Sequence, residues 1–232
     1  MATKIFICSH TDFECPVSNP IYKVMDARRL KFGLPLSDAF YSEWATFKYL
    51  ADKGRLTKFV GCCQYRRYFD FMNGVPEMED VFKDYNVVAT TPMRFNVNVR
   101  DQYARSHNVE DLDIVTEIVK QDYPQYYAML LKMLQGRELY ANDMFLMRRE
   151  DFKEMTDYVF GVLDKYLEAV GTDIEGRIEA NKDKYIKKNG IGDNVQYQFR
   201  IGGYLAERLA SAFIMQLGKV KKYKIKVVEK MK

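Results

Sequence analysis

Apolar positions along this chain fall into two kinds of run. Short, nearly uninterrupted apolar stretches at Lys4–Cys8, Lys58–Cys63, Asn86–Thr90 and Met144–Met147 read as strands. Between them the apolar residues recur at three-to-four spacing, the signature of helices packed on a layered sheet. Ala39, Phe40, Trp44, Phe47, Tyr49 and Leu50 place a first helix over Ser37 to Ala51. Asn108 is positioned as the N-cap of a helix running from Val109, with Asp111 completing an approximate capping box. Pro124 opens a further helix that Gly136 closes. A longer one starts near Arg149; Phe152, Met155, Val159, Val162, Leu163 and Tyr166 mark its apolar face and Gly171 its end. Residues 171–193 read as an exposed excursion, Tyr204 to Leu217 as an apolar helix, and Lys222 to Val227 as a strand with lysine on one face.

The expected fold is α/β: a Rossmann-like mixed sheet flanked by helices. No repeat or low-complexity linker divides the chain, so residues 1–232 read as one domain with a helical C-terminal part and a basic tail at 219–232. No stretch approaches the roughly 18 uncharged apolar residues of a membrane span. The apolar segment after Met1 is too short for a secretory signal. Four cysteines without metal-ligand spacing and two histidines exclude a His-rich metal centre and fit a reducing cytoplasm. The net charge of +4 is not spread evenly. The segment 219–232 carries seven lysines and one glutamate, a local +6, leaving −2 for the remainder. An acidic body disfavours nucleic acid as a partner.

The densest chemistry lies in Phe59-Val60-Gly61-Cys62-Cys63-Gln64-Tyr65-Arg66-Arg67-Tyr68-Phe69, where a buried strand empties into two arginines held between tyrosines. Ligands collect beyond the carboxyl ends of strands in α/β sheets. Paired guanidinium forks suit a phosphate or diphosphate. They equally suit surface ion pairs with carboxylates. Four further clusters have the same two-sided character. Ser9 and His10, with Asp12, end the first strand as nucleotide contacts or as turn formers. His107 precedes a helix N-terminus as an anion contact or as a structural histidine. Asn142 and Asp143 enter a strand, with Asp143 as general base or as turn residue. The paired Gly202-Gly203 permit close ligand approach ahead of Glu207 and Arg208, whose alternative is a structural ion pair. No glycine-rich phosphate loop, hydrolase serine elbow or zinc signature is present.

Taken in order, these clusters resemble one bacterial family. The opening Lys-Ile-Phe-Ile-Cys-Ser-His strand, Tyr41-Ser42-Glu43-Trp44, the Gln64-Tyr65-Arg66-Arg67-Tyr68-Phe69 core, Ser106-His107-Asn108, Asn142-Asp143-Met144-Phe145 and Gly203-Tyr204-Leu205-Ala206-Glu207-Arg208 carry the likeness. The family has long been described as a domain of unknown function. Its members occur in capsule, exopolysaccharide and O-antigen gene clusters and are regarded as glycosyltransferases. The family pattern has His-Tyr-Arg-Arg-Tyr, and Gln64 stands here in place of the histidine, so this position cannot titrate near neutrality.

The resemblance implies a type-A glycosyltransferase fold. It implies a nucleotide-diphosphate sugar, UDP-linked, as donor and a glycan or lipid-linked acceptor. The alternative is a non-catalytic nucleotide-sugar or carbohydrate-binding protein on the same fold. That fold usually holds a divalent metal with an Asp-x-Asp motif; none follows the central strand here, which leaves cationic side chains to take its place. The expected donor-binding set is Ser9, His10, Gln64, Tyr65, Arg66, Arg67, His107, Asn142 and Arg208. Asp143 leads as catalytic base, with Glu207 second, and no residue is assigned to a metal. The lysine-rich end adds an expected peripheral contact with the anionic inner face of the membrane.

Overall fold

The computed structural model describes residues 2–54, 56–72, 74–186 and 194–228. The first half runs β1 (Thr3–Ser9), β2 (Tyr22–Asp26), α1 (Asp38–Tyr41), α2 (Glu43–Lys53), β3 (Phe59–Gln64), β4 (Arg67–Phe69), α3 (Met78–Asp84), β5 (Val87–Thr90), β6 (Met93–Arg94) and α4 (Val99–Ser106). It continues with α5 (Val109–Asp122), α6 (Pro124–Gln135), β7 (Glu138–Leu139), β8 (Phe145–Arg148) and α7 (Arg149–Val170). The last third holds α8 (Ile174–Ala180), α9 (Lys182–Tyr185), α10 (Val195–Gln198), α11 (Ile201–Leu217), β9 (Val220–Tyr223) and β10 (Ile225–Val227).

The main sheet reads β2-β1-β3-β8-β5-β9. All its strands are parallel except β8, which runs against both neighbours. This is a mixed α/β architecture with helices on both faces. Coverage of both faces explains why β3 and β5 are continuous apolar runs without alternation. On one face Val60, Cys62, Val87, Ala89, Phe145 and Met147 join the large core built by α2, α4, α5, α6, α7 and α11. On the other, Ile5, Ile7, Phe59, Cys63, Val88 and Leu146 meet Met78 and Phe82 of α3 and Tyr68 and Phe69 of β4. No described helix is long and apolar enough to cross a membrane.

Four sequence expectations are corrected. The helix expected over Ser37 to Ala51 breaks at Ser42, whose backbone adopts φ 54, ψ −136 and turns α2 away from α1. The paired glycines lie inside α11 rather than ahead of it. A Cβ on Gly202 would come within 2.4 Å of the Phe40 ring, and one on Gly203 within 2.7 Å of Ser42 Oγ, so they admit the α1–α2 break instead of a ligand. Asn108 caps α5 as expected, accepting from the Glu110 N–H, but Asp111 forms no capping box. It is fully buried, and its Oδ1 accepts from Tyr166 Oη, Tyr185 Oη and Arg177 Nη2. Those partners explain the fourth correction. Within the expected excursion, α8 and α9 bury Ile174, Ile178 and Tyr185 against the body; residues 187–193 lie outside the described residues.

Candidate functional site

Sheet direction decides which residues share an end of the molecule. β1 and β3 are parallel and in register, Cys8 beside Gln64, so their carboxyl ends emerge together. β8 runs the opposite way with Phe145 beside Cys62, so the residues that enter it, Asn142 and Asp143, stand at that same edge. Ser9, His10, Gln64, Tyr65, Arg66, Arg67, Asn142 and Asp143 are therefore gathered by topology alone.

The arginine pair sits on a tight hairpin, because Gln64 pairs with Arg67 and leaves Tyr65 and Arg66 as the two turn residues. Arg67 Nη1 donates to the Gln64 carboxamide oxygen. The exposed Arg66 guanidinium lies over the Tyr65 ring, 4.8 Å from its centroid, and donates to the Tyr65 hydroxyl. Tyr65 is braced in turn by the edge of His10 and by Phe13. Among the described residues no carboxylate ion-pairs with Arg66 or Arg67. The surface-ion-pair reading of these two arginines is thus set aside, and both forks keep free donors.

Asp143 is held differently. Asn142 and Asp143 both adopt left-handed backbone, φ 71 and 51, a conformation that costs non-glycine residues energy and persists only where surroundings enforce it. The enforcement is visible. The Asn142 N–H donates to Glu207 Oε1 at 2.8 Å, and the indole N–H of the buried Trp44 donates to Asp143 Oδ1 at 3.1 Å. Burial pushes the Asp143 carboxyl well above the usual carboxylate range, and repulsion from Glu207 and Glu43 adds to it; the Trp44 hydrogen bond and Arg208 oppose. Glu207 is itself paired with Arg208 Nη1 at 2.7 Å. Arg208 is buried, also bonds Tyr204 O and Gln102 Oε1, and leaves its Nε without a partner among the described residues.

Beside this cluster opens a cavity of about 310 Å³, lined among others by Ser9, His10, Asp38, Ser42, Glu43 and Arg200. Arg200 Nε donates to Ser42 Oγ at 2.9 Å, and its Nη2 lies 4.0 Å from Glu43 Oε2. Ser9 and His10 line this space, although the Ser9 hydroxyl is committed to the Thr11 carbonyl at 2.6 Å. Asp12 turns outward to the Arg28 guanidinium. Glu43, Trp44 and Arg200 were not among the site residues expected from sequence. Tyr41-Ser42-Glu43-Trp44 carried the signal, since a polar pair interrupts an apolar helix there.

His107 is brought elsewhere. It is buried between α4 and α5, its Nδ1 donates to Gln198 Oε1 at 3.2 Å, and its ring lies 4.1 Å from that of Tyr204. Burial, then the Arg208 charge, pushes its pKa down to about 3, so it is a neutral interior ring. No three His, Cys, Asp or Glu side chains among the described residues converge as a metal-binding group.

Residues 36–219 match the family described as Domain of unknown function (DUF4422). The chain belongs to that family. No curated protein matches it. Among solved structures it is similar to the apo structure of WbbM, a bifunctional glycosyltransferase, with a TM-score of 0.73 and 18% identity. The similarity covers 99% of this chain and 46% of that one, so this chain spans about half the length of that protein. At this identity the likeness shows the fold alone.

Proposed function

We propose that the chain is a glycosyltransferase that moves a sugar from a UDP-linked donor to a glycan or lipid-linked acceptor of bacterial surface polysaccharide, on the cytoplasmic side of the membrane. One observation carries the reading: two guanidiniums without carboxylate partners and a carboxylate with a raised pKa stand at one edge of a sheet shared with a glycosyltransferase. In this reading Arg66 and Arg67 bind the donor diphosphate, and the 310 Å³ cavity, lined by Asp38, Ser42, Glu43 and Arg200, takes a hydroxyl-bearing part of a substrate.

The chemistry follows from those positions. The acceptor hydroxyl gives its proton to Asp143, and its oxygen bonds to the anomeric carbon as the bond to the diphosphate oxygen breaks. Charge that builds on the departing diphosphate falls on the two forks. A carboxyl whose pKa is raised holds a transferred proton more tightly than an ordinary one. Glu207 and Glu43 act through Asp143 by keeping it raised, and Arg208 holds Glu207 in place.

The test is release of UDP from a panel of UDP-sugars by the purified chain, with and without EDTA. Turnover is expected, and EDTA should leave it unchanged. Arg66→Ala and Arg67→Ala should each weaken donor binding by roughly 10- to 100-fold, the worth of about 1.5–3 kcal/mol for a charged hydrogen bond. Asp143→Asn should lower turnover and spare donor binding. Donors that raise the melting temperature yet release no UDP would favour the non-catalytic binding protein instead.

A further inference from the structure

The last strand is joined to the arginine hairpin. β10 runs antiparallel to β4 with Val227 opposite Arg67 and Lys226 opposite Tyr68, and the Val228 N–H donates to the Arg66 carbonyl at 2.9 Å. Just before it, β9 closes the far edge of the main sheet against β5. Strand alternation then sorts the side chains. Tyr223 and Ile225 pack on the smaller core while Lys222, Lys224 and Lys226 are exposed; the alternation ends at Val227, and Val228 returns to that core. Val227, next to Lys226 in the chain, is 64% exposed.

Several lysines of the body are ion-paired, although among the described residues Lys23, Lys31, Lys53, Lys132 and Lys153, like those of the ribbon, are not. Lys48, Lys58, Lys83, Lys120 and Lys165 each reach an Asp or Glu. Among the described residues no carboxylate ion-pairs with Lys222, Lys224 or Lys226. Outside 219–232 the chain is net −2, so uncompensated positive charge is concentrated on one ribbon of an otherwise acidic molecule. The residue type points to the kind of partner. An arginine fork selects one phosphate by geometry, whereas an ammonium is a strongly hydrated point charge. A row of lysines beside an exposed valine matches a plane of diffuse negative charge with an apolar layer beneath it.

We propose that the β9–β10 ribbon is a docking surface for a bilayer of anionic phospholipid and holds the arginine hairpin at the membrane plane. The proposal deepens the glycosyltransferase reading, on which it rests for the use of a lipid-linked acceptor; the binding itself stands on the ribbon alone. It coexists with a second role for the same lysines, which discourage another strand from adding to this edge.

The intact chain is sedimented with vesicles of phosphatidylcholine containing phosphatidylglycerol, and with vesicles of phosphatidylcholine alone. Binding is expected to the anionic vesicles at low salt only, since screening removes it at high salt. The Lys222→Gln, Lys224→Gln, Lys226→Gln triple variant should bind roughly 100-fold more weakly, about five-fold per lysine. The matching Lys→Arg variant should bind like the parent, and both should release UDP from a soluble donor at the parental rate. Absent binding at low salt, binding that survives high salt, or a Gln variant that binds like the parent would overturn the proposal. So would tighter binding to duplex DNA than to vesicles. Vesicle binding without UDP release would strike the glycosyltransferase reading and leave the ribbon standing; release without binding would do the reverse.

Discussion

Asp143 is shaped by demands that work against the stability of the chain. Left-handed backbone, loss of water and two neighbouring carboxylates all raise its energy, while a single indole N–H compensates directly. Because its folded pKa is raised, the native state holds this proton at pH values where the unfolded chain, with a carboxyl near about 3.9, has lost it. Stability therefore falls as pH rises from that value through the folded pKa. Asp143→Asn removes the slope, and asparagine tolerates left-handed φ better than most residues. The variant should melt higher than the parent at neutral pH while turning over more slowly; a lower melting temperature there would contradict this account. His107 has the opposite sign. Its pKa is lowered from 6.5 to about 3, so the unfolded state binds the extra proton first. Stability is then lost as pH falls below 6.5, by up to about 1.4 kcal/mol per pH unit. His107→Gln should flatten that acid limb in urea titrations, and an unchanged limb would assign the acid sensitivity to other groups.

At the scale of elements, the break at Ser42 does more for the site than any single strand. It turns α2 so that Glu43 faces the cavity and Trp44 reaches Asp143, and it offers the Ser42 hydroxyl to Arg200. The break survives because α11 presents bare backbone at Gly202 and Gly203. Gly202→Ala should gain about 1 kcal/mol of helix propensity. It should lose more, because its Cβ meets both the Phe40 ring and the Phe40 carbonyl, 2.9 Å away. Overpacking of this kind typically costs about 1–3 kcal/mol. Denaturant unfolding should show a net loss, with weaker donor binding as α1 shifts; an unchanged or raised midpoint would mean that the helices separate freely. These features also mark the limit of sequence reading. Asn108, Pro124, Gly136 and Gly171 were legible because each starts or stops a helix by local chemistry. Ser42 was not, since its neighbours keep helical spacing and the cause of the break lies near residue 202. Asp111 was misread for the same reason, its partners being on α7, α8 and α9.

For the molecule as a whole, the chemistry at strand ends was readable because charged and polar residues interrupt apolar runs there. Gln64-Tyr65-Arg66-Arg67 and Asn142-Asp143 stand out on that ground. The order of the strands was not readable, because β8 enters between β3 and β5 from far downstream of both, across α4, α5 and α6, and neither flank records it. The closure by β9 and β10 is more distant still, and it bears on when the protein becomes competent. The hairpin that carries Arg66 and Arg67 is made early in synthesis, yet its outer strand gains a hydrogen-bonded neighbour only when residues 225–227 arrive. A chain that stops after Leu217 should keep its helices by circular dichroism but bind donor weakly, the arginines being held on one side only. Growth of the polypeptide thus sets a timer. If the two proposals hold, anchoring and the last support for the arginines both wait on residues 220–227, and a protein emerging from the ribosome would gain its grip on substrate and its address at the membrane in the same step.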